Sequence, residues 1–225
     1  MLETRKEKIL GLIVDSYTQN AEPVGSKFLV EECGLEVSGA TVRNEMRDLE
    51  EQGYLTHPHT SSGRMPTEIG YQYYVEHIMK PKSLPKKVQQ ELESALDSDR
   101  KQYLKTIAKY IAEKSQSAVI VAFDEDSLYY TGMSNLFSQP EFRDYAYTVS
   151  VSTIFDQVED RIESVFELLD KENPKVLVGQ NNPFGNMCGL VGGRLDEGAL
   201  FAILGPLRMD YAQGSSFIDY LQKSL

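Results

Sequence analysis

This 225-residue sequence predicts an α+β fold, and three observations predict it. Apolar side chains recur at three- and four-residue spacing near the N-terminus. Short turn-bounded runs rich in β-branched and aromatic residues follow, and helical and strand-like periods then alternate to the end. Pro81 and Pro85 punctuate the chain between the two styles. The organisation read from this is an N-terminal domain over residues 1–80, a linker and connecting helix over 81–116, and an α/β domain over 117–225.

In the first domain, Ile9, Ile13 and Tyr17 recur four apart with Leu10 and Val14 beside them, one apolar stripe on a first helix. Glu22-Pro23 stops it. Ser26 is placed to cap a second, short helix carrying Phe28, Leu29 and Val30, and Gly34 supplies a turn. Ser38 caps a third helix, in which Val42, Met46 and Leu49 face inward and Ala40, Arg43, Asn44, Arg47, Asp48 and Glu51 face outward. Gly53 ends that helix. Tyr54-Leu55-Thr56 reads as a short strand, and residues 57–67 as a turn-rich β-hairpin with Arg64 near its tip. A further helix from Glu68 to Met79 carries Tyr71, Tyr74, Val75 and Ile78 at helical spacing.

Beyond the prolines, a helical pattern runs from Lys86 to Ser115 with Val88, Leu92, Leu96, Ile107 and Ile111, and Asp97-Ser98-Asp99 is its candidate break. Ala118 to Phe123 is a buried strand, followed by a polar turn and Leu128 to Thr131. Val149 to Ile154 reads equally as a strand or a helix start, and Val158 to Leu169 as a helix with Ile162, Val165, Phe166 and Leu169 inward. Strands over Val176–Val178, Cys188–Gly193 and Leu200–Leu204 precede a last helix from about Asp210. Gly192-Gly193 and Gly198 lack any phosphate-loop spacing and read as turns.

Composition narrows the function. Apolar residues make up 41% and charged residues 25%, ordinary values for a folded chain. The N-terminal residues are too regularly charged for a secretion signal or a membrane span, and Cys33 and Cys188 form no metal or redox spacing, so a cytoplasmic, membrane-free protein is expected. The net charge of −11 alone argues against nucleic acid, because phosphate neutralisation needs Lys and Arg. The surplus is uneven: 11 basic against 13 acidic residues through Gln90, and 12 against 21 beyond it.

Helix, helix, turn, helix and hairpin in this order are how a winged helix-turn-helix is written in sequence. On the third helix, Thr41, Arg43, Asn44 and Arg47 have the chemistry to reach base edges, since arginine pairs with guanine and asparagine with adenine through two hydrogen bonds, and Ser38 at its start is a further DNA-binding candidate. Ser26, Lys27, His59, Thr60, Ser61, Ser62 and Arg64 suit phosphate or the minor groove. The same helix face, interspersed with Glu45, Asp48 and Glu50, reads equally as a solvated surface. His57 and His59 flank Pro58 without completing a metal shell, no catalytic Ser/His/Asp grouping is visible, and neither an enzyme nor a cofactor is expected.

The words EPVGSK, SGATVRNEM, LEEQGYL, PHTSSGRMPT and GYQYYV, in order from Glu22 to Val75, closely resemble the HrcA repressor family, and GMSNLFSQPEF at Gly132–Phe142 and GPLRMDY at Gly205–Tyr211 resemble that family's effector-domain signatures. The resemblance implies a winged helix followed by a GAF-like α/β domain. Here that domain is truncated: the strand from Ala118 runs almost directly into GMSNLF, without the family's inserted dimerisation segment. It further implies a homodimer that represses chaperone genes at an inverted-repeat operator on double-stranded DNA, with support from the GroE chaperonin. An alternative is a regulator whose GAF-like domain senses a small molecule among Tyr129, Tyr130, Phe137, Phe142, Tyr145, Tyr147 and Phe201, although aromatics at this density more often form core.

Overall fold

A computed structural model describes residues 2–59, 63–94, 99–124, 127–195 and 198–225. The chain divides into two compact units, Met1–Lys80 and Pro81–Leu225. Helices and antiparallel sheets build both, an α+β fold. Among the described residues no helix is long and apolar enough to cross a membrane.

In the first unit, α1 (Thr4–Asn20) buries Ile9, Leu10, Ile13 and Val14, the predicted stripe, with Tyr17 only partly covered. Helix α2 (Ser26–Glu31) anchors through Leu29 alone, and Phe28 remains 39% exposed. Its cap differs from the expectation: Gly25 holds the N-cap position with no side-chain bond, and Ser26 is the first helical residue. Helix α3 (Gly39–Glu51) is capped as predicted, the Ser38 hydroxyl accepting from the Thr41 amide at 3.1 Å. It buries Val42, Met46 and Leu49, and ends at Gly53, whose φ of +81° only glycine adopts without strain.

Strands β1 (Leu55–Thr56) and β2 (Met65–Pro66) pair antiparallel. Arg64 lies at the base of this hairpin rather than near its tip, because its backbone exchanges hydrogen bonds of 2.8 and 2.9 Å with Val24. The predicted helix after β2 begins as α4 (Glu68–Tyr73) but widens into a π-helical turn over Tyr74–Ile78. Tyr73, the last residue of α4, joins Tyr71 in the core, while Tyr74, Val75 and Ile78 in the π-helical turn that follows are only partly buried.

The second unit is a five-stranded antiparallel sheet in the order β4-β3-β7-β6-β5: β3 (Ala118–Asp124), β4 (Ser127–Thr131), β5 (Lys175–Val178), β6 (Cys188–Arg194) and β7 (Leu200–Pro206). Period-two alternation gives each central strand two buried faces. Ala118, Ile120 and Ala122 of β3, Leu190 of β6 and Leu200, Ala202 and Leu204 of β7 form one core with α7 (Met133–Phe137), α8 (Tyr145–Asp156) and α9 (Val158–Leu168). The ambiguous Val149–Ile154 run thus lies inside a helix, started by Asp144 accepting from the Tyr147 amide at 2.9 Å.

Helix α5 (Lys86–Glu93) precedes α6 (Arg100–Ser115), and Asp99 caps α6; Leu96 and the rest of 95–98 lie outside the described residues. Helix α6 packs on β3 and β4, and α10 (Tyr211–Ser224) on β6. Gly192 and Gly193 are strand residues, not a turn. Their lack of a side chain serves packing: a Cβ on Gly193 would sit 2.7 Å from Ile218 Cγ2, and one on Gly189 2.3 Å from Tyr211 Oη.

The two effector-type signature words meet in space. Arg208 of GPLRMDY donates to Glu141 at 2.6 Å and to Gln139 at 2.7 Å, both in GMSNLFSQPEF and its flank. The aromatics do not share one environment: Phe201 is fully buried, Phe142 makes edge contacts to Phe137 at 5.1 Å and Tyr147 at 5.0 Å, and Tyr130 and Tyr145 are exposed. Burial raises the Tyr147 pKa and pushes the Cys188 thiol up to about 12.

Two expectations follow. Gly189→Ala destabilises the chain by about 1–3 kcal/mol in urea unfolding, because Tyr211 has no room to yield, whereas Gly39→Ala, with nothing within 4 Å, changes the midpoint little. Cys188 resists a thiol reagent in the folded chain at pH 8 and reacts on unfolding, read by mass spectrometry. An unfolded thiol ionises at about 8.5, so this group's contribution to stability is complete below that pH and declines as pH rises towards 12.

Candidate nucleic-acid interface

The outward face of α3 is set by what its inward face binds. Val42, Met46 and Leu49 hold the helix against α1, and Glu45 sits between them with its side chain only 9% exposed. A buried carboxylate needs a partner, and α1 supplies it. The Arg5 guanidinium donates twice to Glu45 Oε1, through Nε at 2.9 Å and through a still shorter bond from Nη2, and Lys6 Nζ lies 3.9 Å from Oε2. Lys6 also binds Asp48 at 3.2 Å. Its hydrogen bond to Asp48, partly opposed by burial, raises the Lys6 pKa.

Glu50 is engaged from the other side. Arg64 reaches its Oε2 through Nε at 2.9 Å and Nη2 at 2.8 Å, and His57 Nδ1 makes a short contact with Oε1. Each acid that made the third helix look like an ordinary mixed surface is therefore tied to a cation of α1 or of the hairpin. Arg43, Asn44 and Arg47 remain exposed on the opposite side, with Glu51 at its C-terminal end. Arg47 and Asn44 are one helical turn apart, their side chains 3.5 Å from each other.

Ser38 and Thr41 stand at the helix start with their hydroxyls 2.9 Å apart, where the positive end of the helix dipole favours an anion. Ser26 is half-buried at the start of α2, and the neighbouring Lys27 is exposed with Glu31 at 3.8 Å. His59 is exposed on the hairpin; Thr60, Ser61 and Ser62 lie outside the described residues. The structure thus brings Ser38, Thr41, Arg43, Asn44 and Arg47 together on one helix. Arg64 differs from the rest, since its side chain is 22% exposed and bound to Glu50. Among the described residues no group of three or more His, Cys, Asp or Glu side chains could hold a metal.

Sequence reasoning missed the positioning residues Arg5, Lys6, Glu45 and Tyr73. Glu45 carried a readable signal, lying between Val42 and Met46 at inward helical positions. Tyr73 did not, because the π-helical turn that reorients its neighbours leaves no mark in the spacing. Buried, with its pKa raised by that burial, its hydroxyl donates to Glu7 at 2.7 Å and accepts from the Leu2 amide at 2.8 Å, fastening the start of α1.

Comparison with known proteins bears on this site. Residues 74–214 match the family described as the HrcA protein C terminal domain. The chain belongs to the HrcA family. Similar curated relatives carry the name heat-inducible transcription repressor HrcA: the protein of Acetivibrio thermocellus is 42% identical over 127 residues, 55% of this chain and 36% of the relative. That of Cutibacterium acnes is 52% identical over 103 residues, 44% of this chain and 30% of the relative. That of Carboxydothermus hydrogenoformans is 54% identical over 84 residues, 37% and 25%. The chain thus spans about a third or less of the length of these relatives in the matched stretches. A crystal structure of a hypothetical protein, 18% identical, shares the fold with a TM-score of 0.81, covering 99% of this chain and 97% of the other.

The pairing scheme makes a testable distinction. Arg5→Ala leaves the Glu45 carboxylate with Lys6 alone and costs about 1–3 kcal/mol of stability in urea unfolding of the full chain. Arg43→Ala, on the exposed face, changes stability by no more than about 0.5 kcal/mol. Equal losses from both would mean that Arg43 is packed.

Proposed function

We propose that this chain is a sequence-specific DNA-binding transcription repressor of heat-shock genes. Its first unit reads as a winged helix-turn-helix that acts as one half of a homodimer on an inverted-repeat operator. The observation that carries the reading is the pairing of Glu45, Asp48 and Glu50 with Arg5, Lys6, His57 and Arg64, which leaves Arg43, Asn44 and Arg47 exposed on α3, with Glu51 at its C-terminal end. A carboxylate facing a duplex would repel phosphate. Burying Glu45 and pairing Asp48 and Glu50 with cations weakens that repulsion without adding a single basic residue.

An α-helix fits the major groove, where arginine and asparagine find two-point partners on guanine and adenine. Ser26, Lys27, Ser38, Thr41, His59 and the hairpin residues Thr60, Ser61 and Ser62 would then meet phosphates and fix register. Arg64 enters as the residue that fixes Glu50 and the hairpin base rather than as a free phosphate ligand. The antiparallel sheet with helices on both faces supports a GAF-like second unit, and the names of the relatives support repression. Two half-sites related by a dyad require two copies of α3, hence a homodimer, with the GroE chaperonin as the modulating partner that the family resemblance implies.

Binding of the full chain to operator and scrambled duplexes, followed by fluorescence anisotropy across a salt series, tests the assignment. Arg47→Ala lowers the preference for operator by about 1–3 kcal/mol and leaves scrambled-duplex affinity nearly unchanged. Lys27→Ala weakens binding to both duplexes alike and reduces the salt slope by about 1. Equal, sequence-blind losses from the two substitutions would contradict the roles assigned here.

A further inference from the structure

Two exposed lysines on short-range helical spacing are paired with acids. Lys27 lies 3.8 Å from Glu31 on α2, and Lys223 lies 2.8 Å from Asp219 on α10, each pair four residues apart. Helix α6 does the opposite. Lys101, Lys105 and Lys109 recur at four-residue spacing, and no acid occurs between Lys101 and Lys109. The whole helix carries five basic residues against Glu113 alone, in a chain of net charge −11. Like charges one turn apart repel, and Arg100 and Lys101 stand in the first turn, where the helix dipole disfavours a cation. Helix stability alone does not account for this arrangement.

Neighbouring rings hold two of these lysines without neutralising them. Lys101 Nζ lies 5.4 Å and Lys105 Nζ 5.9 Å from the centre of the Phe123 ring, and Lys105 Nζ lies 5.4 Å from that of Tyr129. A π face attracts an ammonium group but leaves its charge intact. Lys101 also has Asp124 at 3.8 Å, a loose pair with both side chains more than half exposed. Among the described residues Lys105 and Lys109 have no carboxylate within 4.0 Å, and Lys109 is exposed.

We propose that the face of α6 carrying Lys101, Lys105 and Lys109 is a second, sequence-blind DNA contact, which engages phosphates of the duplex beyond the half-site read by α3. The stripe is about 12 Å long at the rise of an α-helix. One strand of a duplex carries a phosphate every 3.4 Å or so along the axis, so about three or four phosphates span the length of these three cations. The occupant follows from charge and tethering. Residues from Ser117 onward carry seven basic against sixteen acidic side chains, which makes α6 the cationic exception in an acidic surrounding. Once the first unit holds an operator, the covalently attached α6 meets the same polyanion at high local concentration. An acidic protein offers carboxylates without that regular line. The proposal rests on the repressor reading for where the duplex is held, and its chemistry, lysine on phosphate, is independent of base sequence.

The test uses the full chain and fluorescence anisotropy over a salt series. Three duplexes are compared: a short inverted repeat, the same repeat extended by about one helical turn at each end, and a random sequence of the longer length. The native chain is expected to bind the extended repeat about tenfold or more tightly than the short one at low salt. The triple substitution Lys101→Gln, Lys105→Gln and Lys109→Gln loses that gain and lowers the salt slope by about 2 to 3, with short-repeat affinity and thermal melt unchanged. Lys171→Gln with Lys175→Gln, at exposed lysines elsewhere, keeps the gain. A gain retained by the triple variant, or lost equally in the control, overturns the proposal. So does binding of polyglutamate through the stripe as tightly as duplex at equal charge, which makes an acidic protein the partner. Preference for the repeat over the random duplex separates this idea from the repressor reading. If the preference persists while the stripe substitutions change nothing, only the second contact falls. If the preference is absent while the triple variant still loses affinity for random duplex, the repressor reading falls and the contact stands. No binding to any duplex removes both.

Discussion

The ion pairs that tie Glu45, Asp48 and Glu50 of α3 to α1 and the hairpin are the constraint on which the first unit depends. Arg5 and Lys6 lie in the first turn of α1, and Glu45 and Asp48 are spaced three apart on α3, so the packing of these two helices, which bury Ile9, Ile13, Val42 and Leu49, brings four charges into register. Apolar packing fixes the separation of the helices, and the ions fix which way α3 is rotated. A buried carboxylate without its cation costs more than an exposed pair contributes, so the arrangement penalises rotation more than it rewards contact.

That rotation decides what α3 can touch. A helix with mixed charges all round would offer a duplex equal attraction and repulsion. Here most of the composition is sorted by side: Glu45, Asp48 and Glu50 paired towards α1 and the hairpin base, Arg43, Asn44 and Arg47 outward, with Glu51 exposed only at the C-terminal end. The net charge of the chain therefore understates what one local surface can do. Bulk charge governs long-range attraction, while the few ångströms around a groove are governed by the side chains that point into it.

Periodicity made most of the elements legible. The stripe on α1, the Ser38 cap, the inward trio on α3, the stop at Gly53 and the strand from Ala118 are all short-range patterns, and they appear where the spacing puts them. What escaped depends on contacts between distant residues. Ser26 looked like a cap until Gly25 took that position, and Val149–Ile154 had the composition of a strand but is carried into α8 by the Asp144 cap. Gly192 and Gly193 read as a turn because glycine usually breaks strands, whereas the approach of α10 to the sheet is what requires them. For the site, the outward residues were readable from helical spacing. Their partners were not, since nothing in sequence distance joins Arg5 to Glu45 or Arg64 to Glu50.

The account turns on α3 presenting its polar side to base edges in a major groove, and guanine N7 reports that contact directly. Dimethyl sulfate footprinting of an inverted-repeat duplex with the full chain is predicted to show guanines protected at N7 symmetrically in both half-sites, with protection lost at one guanine per half-site in the Arg47→Ala chain. Unprotected guanines under saturating protein, or a footprint confined to adenine N3 in the minor groove, would contradict it.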